Sequence, residues 1–303
     1  MQQNLQKKKK ILFIVNPISG MHRRVRLAEV INKHINTQKF IPDIKETAYA
    51  GHAVELSREA VSQKTDIVIA VGGDGTINEV ASQIIGSDTV LGIIPQGSGN
   101  GLARHLGIPR TIQGAMRLIN RQHVTEIDTA SVNGIPFVSI AGVGFDALVA
   151  KLFAKGERRG FFSYAHLIST NFLYYKPKKY RIKFEDGTQM KTRALFISFA
   201  NSNQFGYNTA IAPNALLRDG RLDVIVVQKP GIFELPLITN LLLLRAIDMS
   251  RYVQSFRSGH FWVYQKKNRV VNIDGEARKI NKKLEIKVHP LSLKVIIPNH
   301  DIK

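Results

Sequence analysis

The 303-residue chain contains no cysteine. That excludes disulfides, Cys-based zinc sites and thiol nucleophiles, and is compatible with a reducing cytoplasm. Long hydrophobic runs are also missing. The longest apolar stretch, 235–244, is interrupted by Pro236, Thr239 and Asn240 and bounded by Glu234 and Arg245. A bilayer-spanning helix needs about 20 apolar residues, so none is expected. The lysines at 7–10 precede only five apolar residues, too few for a secretory signal core. They read as a solvated tail leading into a strand. Acidic residues are scarce, with 23 Asp+Glu against 43 Lys+Arg. The imbalance is uneven: 16 bases and 10 acids in 1–127 (+6), but 27 and 13 in 128–303 (+14). Such an excess implies a polyanionic partner. The basic stretches carry no RNA- or DNA-binding motif, so an anionic membrane surface is expected and nucleic acid is not.

Several catalytic signatures are absent as well. Gly72-Gly73-Asp74-Gly75 is not followed by Gly-Lys-Ser/Thr, and a dinucleotide fingerprint fails at its third glycine. Nine histidines include no His-Glu-x-x-His, and Gln96 stands where a Gly-x-Ser-x-Gly elbow needs glycine. What is present is a β-branched run, 67–71, ending abruptly in Gly-Gly-Asp-Gly-Thr. A buried parallel strand, a glycine loop and a helix start follow from that pattern. Thr76 and Glu79 have capping-box spacing, which predicts Thr76 as N-cap. Glycines let backbone approach a phosphate, and the helix N-terminus favours an anion, so the loop reads as a phosphate cradle.

Strands are expected at 11–15, 40–47, 67–71 and 90–94, alternating with helices. The βαβαβαβ pattern predicts a parallel sheet with helices on both faces. Ligands of such sheets bind beyond the carboxyl ends of the strands, where loops 16–20, 47–52, 72–76 and 95–101 all fall. After Arg110 the pattern changes. Asn133-Gly134 between β-rich runs predicts a hairpin. A helical stretch from 147 to 175, broken near 155–160, precedes further strands, so the second part is expected to be antiparallel and β-rich. The fold class expected is therefore α/β plus β, with a boundary near residue 127.

Four carboxylates stand at turns that end apolar strands or precede them: Asp74, Asp219 in Asp-Gly-Arg, and Asp274 and Glu276 about Gly275. Phosphoryl transfer to an alcohol needs a nucleotide cradle, a cation and a carboxylate to take the hydroxyl proton. These residues suit the last two needs.

Asn16-Pro17-Ile18-Ser19-Gly20, Gly72 through Glu79, 95–100 and Asp274-Gly275-Glu276, occurring in this order, resemble the diacylglycerol kinase/sphingosine kinase superfamily of lipid kinases, especially its soluble bacterial members. The resemblance implies an α/β nucleotide domain, 1–127 with 292–303 returning to it, and a β-sandwich-like lipid domain, 128–291. It implies ATP bound by Asn16, Pro17, Ser19, Gly20, Thr47, Gly72, Gly73, Asp74, Gly75, Thr76, Asn78 and Ser98. It places Mg²⁺ on Asp219 with the carbonyls of Leu216 and Arg221, the lipid head group near Asp146, and the base at Glu276, with Asp274 close behind. Asp74 then organises nucleotide and Mg²⁺. The Gly97-Ser98-Gly99-Asn100 loop is closer to the sphingosine kinase form, which leaves the acceptor open among diacylglycerol, a sphingoid base and related lipids. A cytoplasmic protein in peripheral contact with anionic membrane is implied, with a homodimer allowed. The apolar helices at 161–175 and 235–244 are candidates to shelter an acyl chain. Two rival readings are an NAD kinase, which also uses Gly-Gly-Asp-Gly, and a non-catalytic nucleotide sensor that binds membrane.

Overall fold

The structure, a computed structural model, describes residues 7–19, 27–156, 160–206 and 209–299. The chain divides into two compact units, one built from residues up to Ile127 and from Leu291 onward, the other from Asp128–Pro290.

The first unit alternates β1 (Lys9–Val15), α1 (Leu27–His34), β2 (Phe40–Glu46), α2 (His52–Ser62), β3 (Ile67–Gly72), α3 (Asp74–Ile84), β4 (Val90–Pro95), α4 (Gly101–His105) and α5 (Ile112–Arg121). The strands lie in the order β2-β1-β3-β4, all parallel. Leu12, Phe13 and Ile14 of β1 and every residue of β3 are buried, as expected of strands covered by helices on both faces. The returning C-terminal segment adds Val295 beside Leu91 of β4, also parallel. The direction in which strands are added reverses at β1: the connection from β1 leads outward to β2, and β3 lies on the other side of β1. That is a topological switch point, where such sheets leave a crevice at the strands' carboxyl ends.

In the second unit, β5 (Val124–Val132) turns at Asn133-Gly134 into β6 (Ile135–Phe137), both turn residues having positive φ (48° and 78°). That is the predicted Asn-Gly hairpin. There follow β7 (Ile140–Gly144), α6 (Phe145–Lys155), α7 (Phe161–Phe172), β8 (Lys178–Phe184), β9 (Gln189–Ala194), β10 (Phe196–Ala200), β11 (Gln204–Gly206), β12 (Thr209–Ala210), β13 (Leu222–Val227) and α8 (Leu235–Leu243). The last strands are β14 (Val253–Ser258), β15 (His260–Gln265), β16 (Arg269–Ile273), β17 (Glu276–Ile280) and β18 (Lys283–Ile296). Strands β14-β13-β10-β7-β16-β17 form one antiparallel sheet, and β15 joins β18 to β8 and β9 antiparallel in another. Phe199, Val224, Val143 and Val271 of the first pack with Phe261, Ile182 and Ile286 of the second into a single apolar core, the middle of a β-sandwich. No helix among the described residues is long and apolar enough to cross a membrane.

Candidate active site

The first unit gathers its glycine loops at the carboxyl ends of β1, β3 and β4. Asp74 opens α3, but its carboxylate is directed elsewhere. Oδ2 accepts from the Asn100 amide and Oδ1 from the Gly101 amide, each at 2.7 Å. One side chain therefore ties the loop after β3 to the loop after β4. The two loops touch backbone to backbone: a Cβ on Gly97 would stand 2.5 Å from the Gly73 Cα. Only glycine at both places permits that approach. Asn100 closes its own loop from a left-handed conformation (φ 52°), its side chain bonding the amide and carbonyl of Gly97. Burial pushes the Asp74 carboxyl up from its ordinary range, and the two backbone donors and the nearby Arg104 pull it back.

A third loop joins through Asn16, whose Nδ2 donates to the Thr76 hydroxyl at 3.0 Å while its Oδ1 accepts from the Ile18 amide. Ser19 turns back on the Asn16 carbonyl, and Pro17 is exposed. Gly20 lies outside the described residues. The Thr47 amide bonds Val15 of the neighbouring strand, so Thr47 begins at the same edge. Gly72 is the last residue of β3, and Gly75 and Ser98 are exposed. Asn78 is buried, with Oδ1 lacking a hydrogen-bond partner among the described residues.

One local expectation is corrected. Gly73, not Thr76, is the N-cap of α3, and no side chain caps the helix. The Thr76 hydroxyl is engaged with Asn16, and Glu79 accepts from the Gly51 amide instead of reaching back. The first-turn N–H groups of α3 thus lack a side-chain cap, the arrangement that receives an anion.

In the second unit the Asp-Gly-Glu corner divides its acids. Asp274, with φ 46°, accepts backbone N–H bonds from Val138 (2.7 Å), Ser139 (2.9 Å) and Ile140 (2.8 Å), and its own amide bonds the Ile140 carbonyl. Its lone pairs are committed to the fold. Glu276 is half-exposed and, among the described residues, its carboxylate pairs with Arg278, at 2.8 Å through Oε2. It is the acid of the pair with capacity left for chemistry.

Asp219 accepts from the Arg221 amide through Oδ1 in a turn-forming bond of 3.0 Å. The buried Asp128 braces that turn, taking the Gly220 amide at 2.7 Å and donating its own amide to the Leu217 carbonyl. Asp223 follows, buried and ion-paired to Arg257 at 3.1 Å; burial pushes its carboxyl up, Arg257 opposes, and Asp219 adds to the rise. No cluster of three or more His, Asp or Glu able to hold a metal occurs among the described residues. The groups that the resemblance assigned to Mg²⁺, the Asp219 carboxylate and the carbonyls of Leu216 and Arg221, are of the donor type that this cation takes, one or two carboxylates with water and phosphate oxygens completing its shell.

Asp146 sits at the start of α6, buried, accepting from the Ala147 amide at 2.7 Å and from Asn272 Nδ2 at 3.4 Å. Burial pushes its carboxyl up to about 7. Asn272 also takes the Gly275 amide, so it links Asp146 to the corner that carries Glu276. Asn100, Asp128 and Asn272 were not singled out by sequence reasoning. Asn100 had a signal, a polar residue among glycines that tolerates left-handed backbone. Asp128 and Asn272 act across 92 and 126 residues, and nothing local marks them.

Known proteins repeat both halves. The diacylglycerol kinase catalytic domain family matches residues 10–132, and the YegS C-terminal NAD kinase beta sandwich-like domain family matches 139–297. The diacylglycerol kinase of Bacillus subtilis (strain 168) is 29% identical over 288 residues, 88% of this chain and 90% of its own. That of Staphylococcus aureus (strain MRSA252) is 30% identical over 235 residues, 75% and 73% of the two chains. Among solved structures, a diacylglycerol kinase from Bacillus anthracis str. Sterne superposes with TM-score 0.73 at 22% identity, covering 97% of this chain and 98% of that one. An NAD kinase from Archaeoglobus fulgidus in complex with ATP gives TM-score 0.54 at 12% identity over 95% and 94%. At such identities the two structures speak for the fold alone.

Two stability predictions follow from the acids. Asp274→Ala strands three backbone donors and is expected to cost about 3 kcal/mol or more in chemical denaturation, whereas Glu276→Gln stays within about 0.5 kcal/mol of wild type. Asp146 behaves in the opposite sense. Its folded-state value of about 7 exceeds the ordinary 3.8, so the folded protein holds a proton that the unfolded chain releases. Stability therefore falls as pH rises between those values, and the full cost is present above the higher one. Asp146→Asn is expected to melt above wild type at about pH 8, by an amount on the order of 4 kcal/mol at most, and to lose most of that advantage near pH 4.

Proposed function

The chain belongs to the diacylglycerol kinase family, and from that membership and the geometry of its acids we propose an ATP- and Mg²⁺-dependent lipid kinase acting on a hydroxyl of diacylglycerol, a sphingoid base or a related lipid. The observation that carries the reading is the Asp74 clamp, because it joins two glycine loops over the uncapped start of α3. That pair of loops suits the polyphosphate of ATP, with Asn16, Thr76, Asn78 and Ser98 offering polar groups around it and Thr47 at the same edge. The unpartnered Asn78 Oδ1 is a buried acceptor awaiting a donor, a need that an ordered water or a ligand N–H or O–H would meet.

In the proposed reaction Glu276 accepts the proton of the lipid hydroxyl. The freed oxygen forms a bond to the γ-phosphorus as the bond from that phosphorus to the β,γ-bridging oxygen breaks, leaving ADP and a phosphorylated lipid. Asp274 acts as a positioning residue, fixing the turn from which Glu276 projects. Asp219, Leu216 and Arg221 would hold Mg²⁺, which when bound neutralises charge on the phosphates. Asp146, whose burial at the start of α6 raises its carboxyl to about 7 so that it holds or sheds a proton near neutrality, would offer a hydroxyl donor or a carboxylate acceptor to the lipid head group. The net +14 of residues 128–303 favours peripheral contact with anionic membrane on the cytoplasmic side.

Transfer of label from [γ-³²P]ATP to a panel of diacylglycerol, sphingosine, monoacylglycerol and NAD tests the proposal. Label is expected in a lipid, and Glu276→Gln is expected to lower kcat about 10²-fold or more while KM for ATP stays near wild type. Label in NAD alone, or full activity in Glu276→Gln, contradicts the assignment.

A further inference from the structure

Helix α8 is apolar on two faces. Leu235 packs on the cluster of Phe145 and Phe172, while Ile238, Leu241 and Leu242 pack on the cluster of Ile225, Val227 and Ile247. The opposite side is uncovered and carries large apolar side chains beside the exposed Thr239 and Asn240. Phe233 is 95% exposed, Leu237 and Leu243 are exposed, and Leu244 is 74% exposed. Ile232, in the single-turn Ile232–Glu234 helix ahead of α8, and Met249 beyond it are exposed too. Phe233 lies in that single turn and Leu244 directly follows the last residue of α8, so the two flank the exposed Leu237 at spacings of four and seven. Scattered exposed apolar side chains need no explanation, but six on one short stretch form a patch of the kind that marks an interaction site.

We propose that this outward row of α8 is the surface by which the protein docks on an anionic bilayer, with Phe233 and Leu244 entering the acyl boundary. The inference rests on the lipid-kinase reading, in that it supplies the route to an acceptor held in a membrane. Nine residues of helix span about 14 Å, too short to cross a bilayer but suited to lying in its interface. Charge identifies the occupant. Within 232–251 the charges balance, Arg245 and Arg251 against Glu234 and Asp248, so the excess lies beside α8. Glu234 is already matched by Arg251 at 3.1 Å and by the Tyr252 hydroxyl. Beside α8, the exposed Leu173 and Tyr174 lead into Lys176, Lys178 and Lys179, with no acid between residues 172 and 182. Tyr175 and Leu235 pack on the same cluster, and Lys178 Nζ lies 5.2 Å from the Tyr175 ring centroid, which brings these cations to the same neighbourhood. A second copy on this face would set cations against cations. Lipid phosphates complement them.

Cosedimentation of the full chain with phosphatidylcholine vesicles, with and without phosphatidylglycerol, tests the proposal. Wild type is expected to bind the anionic vesicles, and Phe233→Ser/Leu237→Ser to bind them about tenfold more weakly or less, at an unchanged Tm because neither side chain is packed. In Phe233→Trp, brominated lipid is expected to quench the added fluorescence. Undiminished binding by the double variant, no quenching, or no wild-type binding to either vesicle overturns the proposal. A wild-type dimer that the double variant converts to monomer overturns it in favour of a second copy. Turnover of the panel lipids in dispersed short-chain form keeps the two claims apart: its absence in wild type for every one of them counts against the kinase reading, and its retention in the double variant alongside lost vesicle binding supports the docking surface.

Discussion

The Asp74 carboxylate, shared between the amides of Asn100 and Gly101, is the interaction on which the nucleotide half of the protein depends. Two loops rich in glycine have high conformational entropy and no side chains with which to hold each other. A single carboxylate with both oxygens engaged fixes their separation, and the Gly73–Gly97 contact sets the lower limit of that separation. The bond from Asn16 to Thr76 then adds the loop after β1. Burying the acid raises its proton affinity, and two backbone N–H bonds oppose that rise without cancelling it. Asp74 acts through architecture, which reconciles an acid in this loop with the anionic ligand proposed for it.

The second unit separates structural from chemical carboxylates by the same criterion. Where backbone donors fill an acid, as at Asp274 and Asp128, it shapes a turn. Where one oxygen remains, as at Glu276, the acid keeps the capacity to accept a proton. Asp146 is a third case, an acid placed where its charge is unwelcome, so that near neutrality it carries or sheds a proton. Asn272 connects Asp146 to the Asp-Gly-Glu corner and gives the two acids a common support.

Much of this was legible in the sequence because it is local. Continuous β-branched runs predicted the buried strands, Asn133-Gly134 the hairpin, and the glycine loops the edge at which they gather. The capping box was misread because Thr76 and Glu79, correctly spaced, are claimed by Asn16 and Gly51 from other loops. Which acid of Asp-Gly-Glu is free depends on amides 134 to 136 residues away, and periodicity carries no record of them. The stretch 235–244 reads in the sequence as an apolar helix and a candidate to shelter an acyl chain. Its composition is that of a buried helix, and only three dimensions separate the face that is covered from the face that is not.

The most direct test of the account is a crystal structure of the protein with Mg²⁺ and a non-hydrolysable ATP analogue. The phosphates are expected to lie against the backbone amides of Gly75 and Thr76 and the loop at 97–98, with Asp74 still bonded to Asn100 and Gly101. Phosphates bound elsewhere, or an Asp74 that leaves those two amides to ligate the cation, would contradict the account.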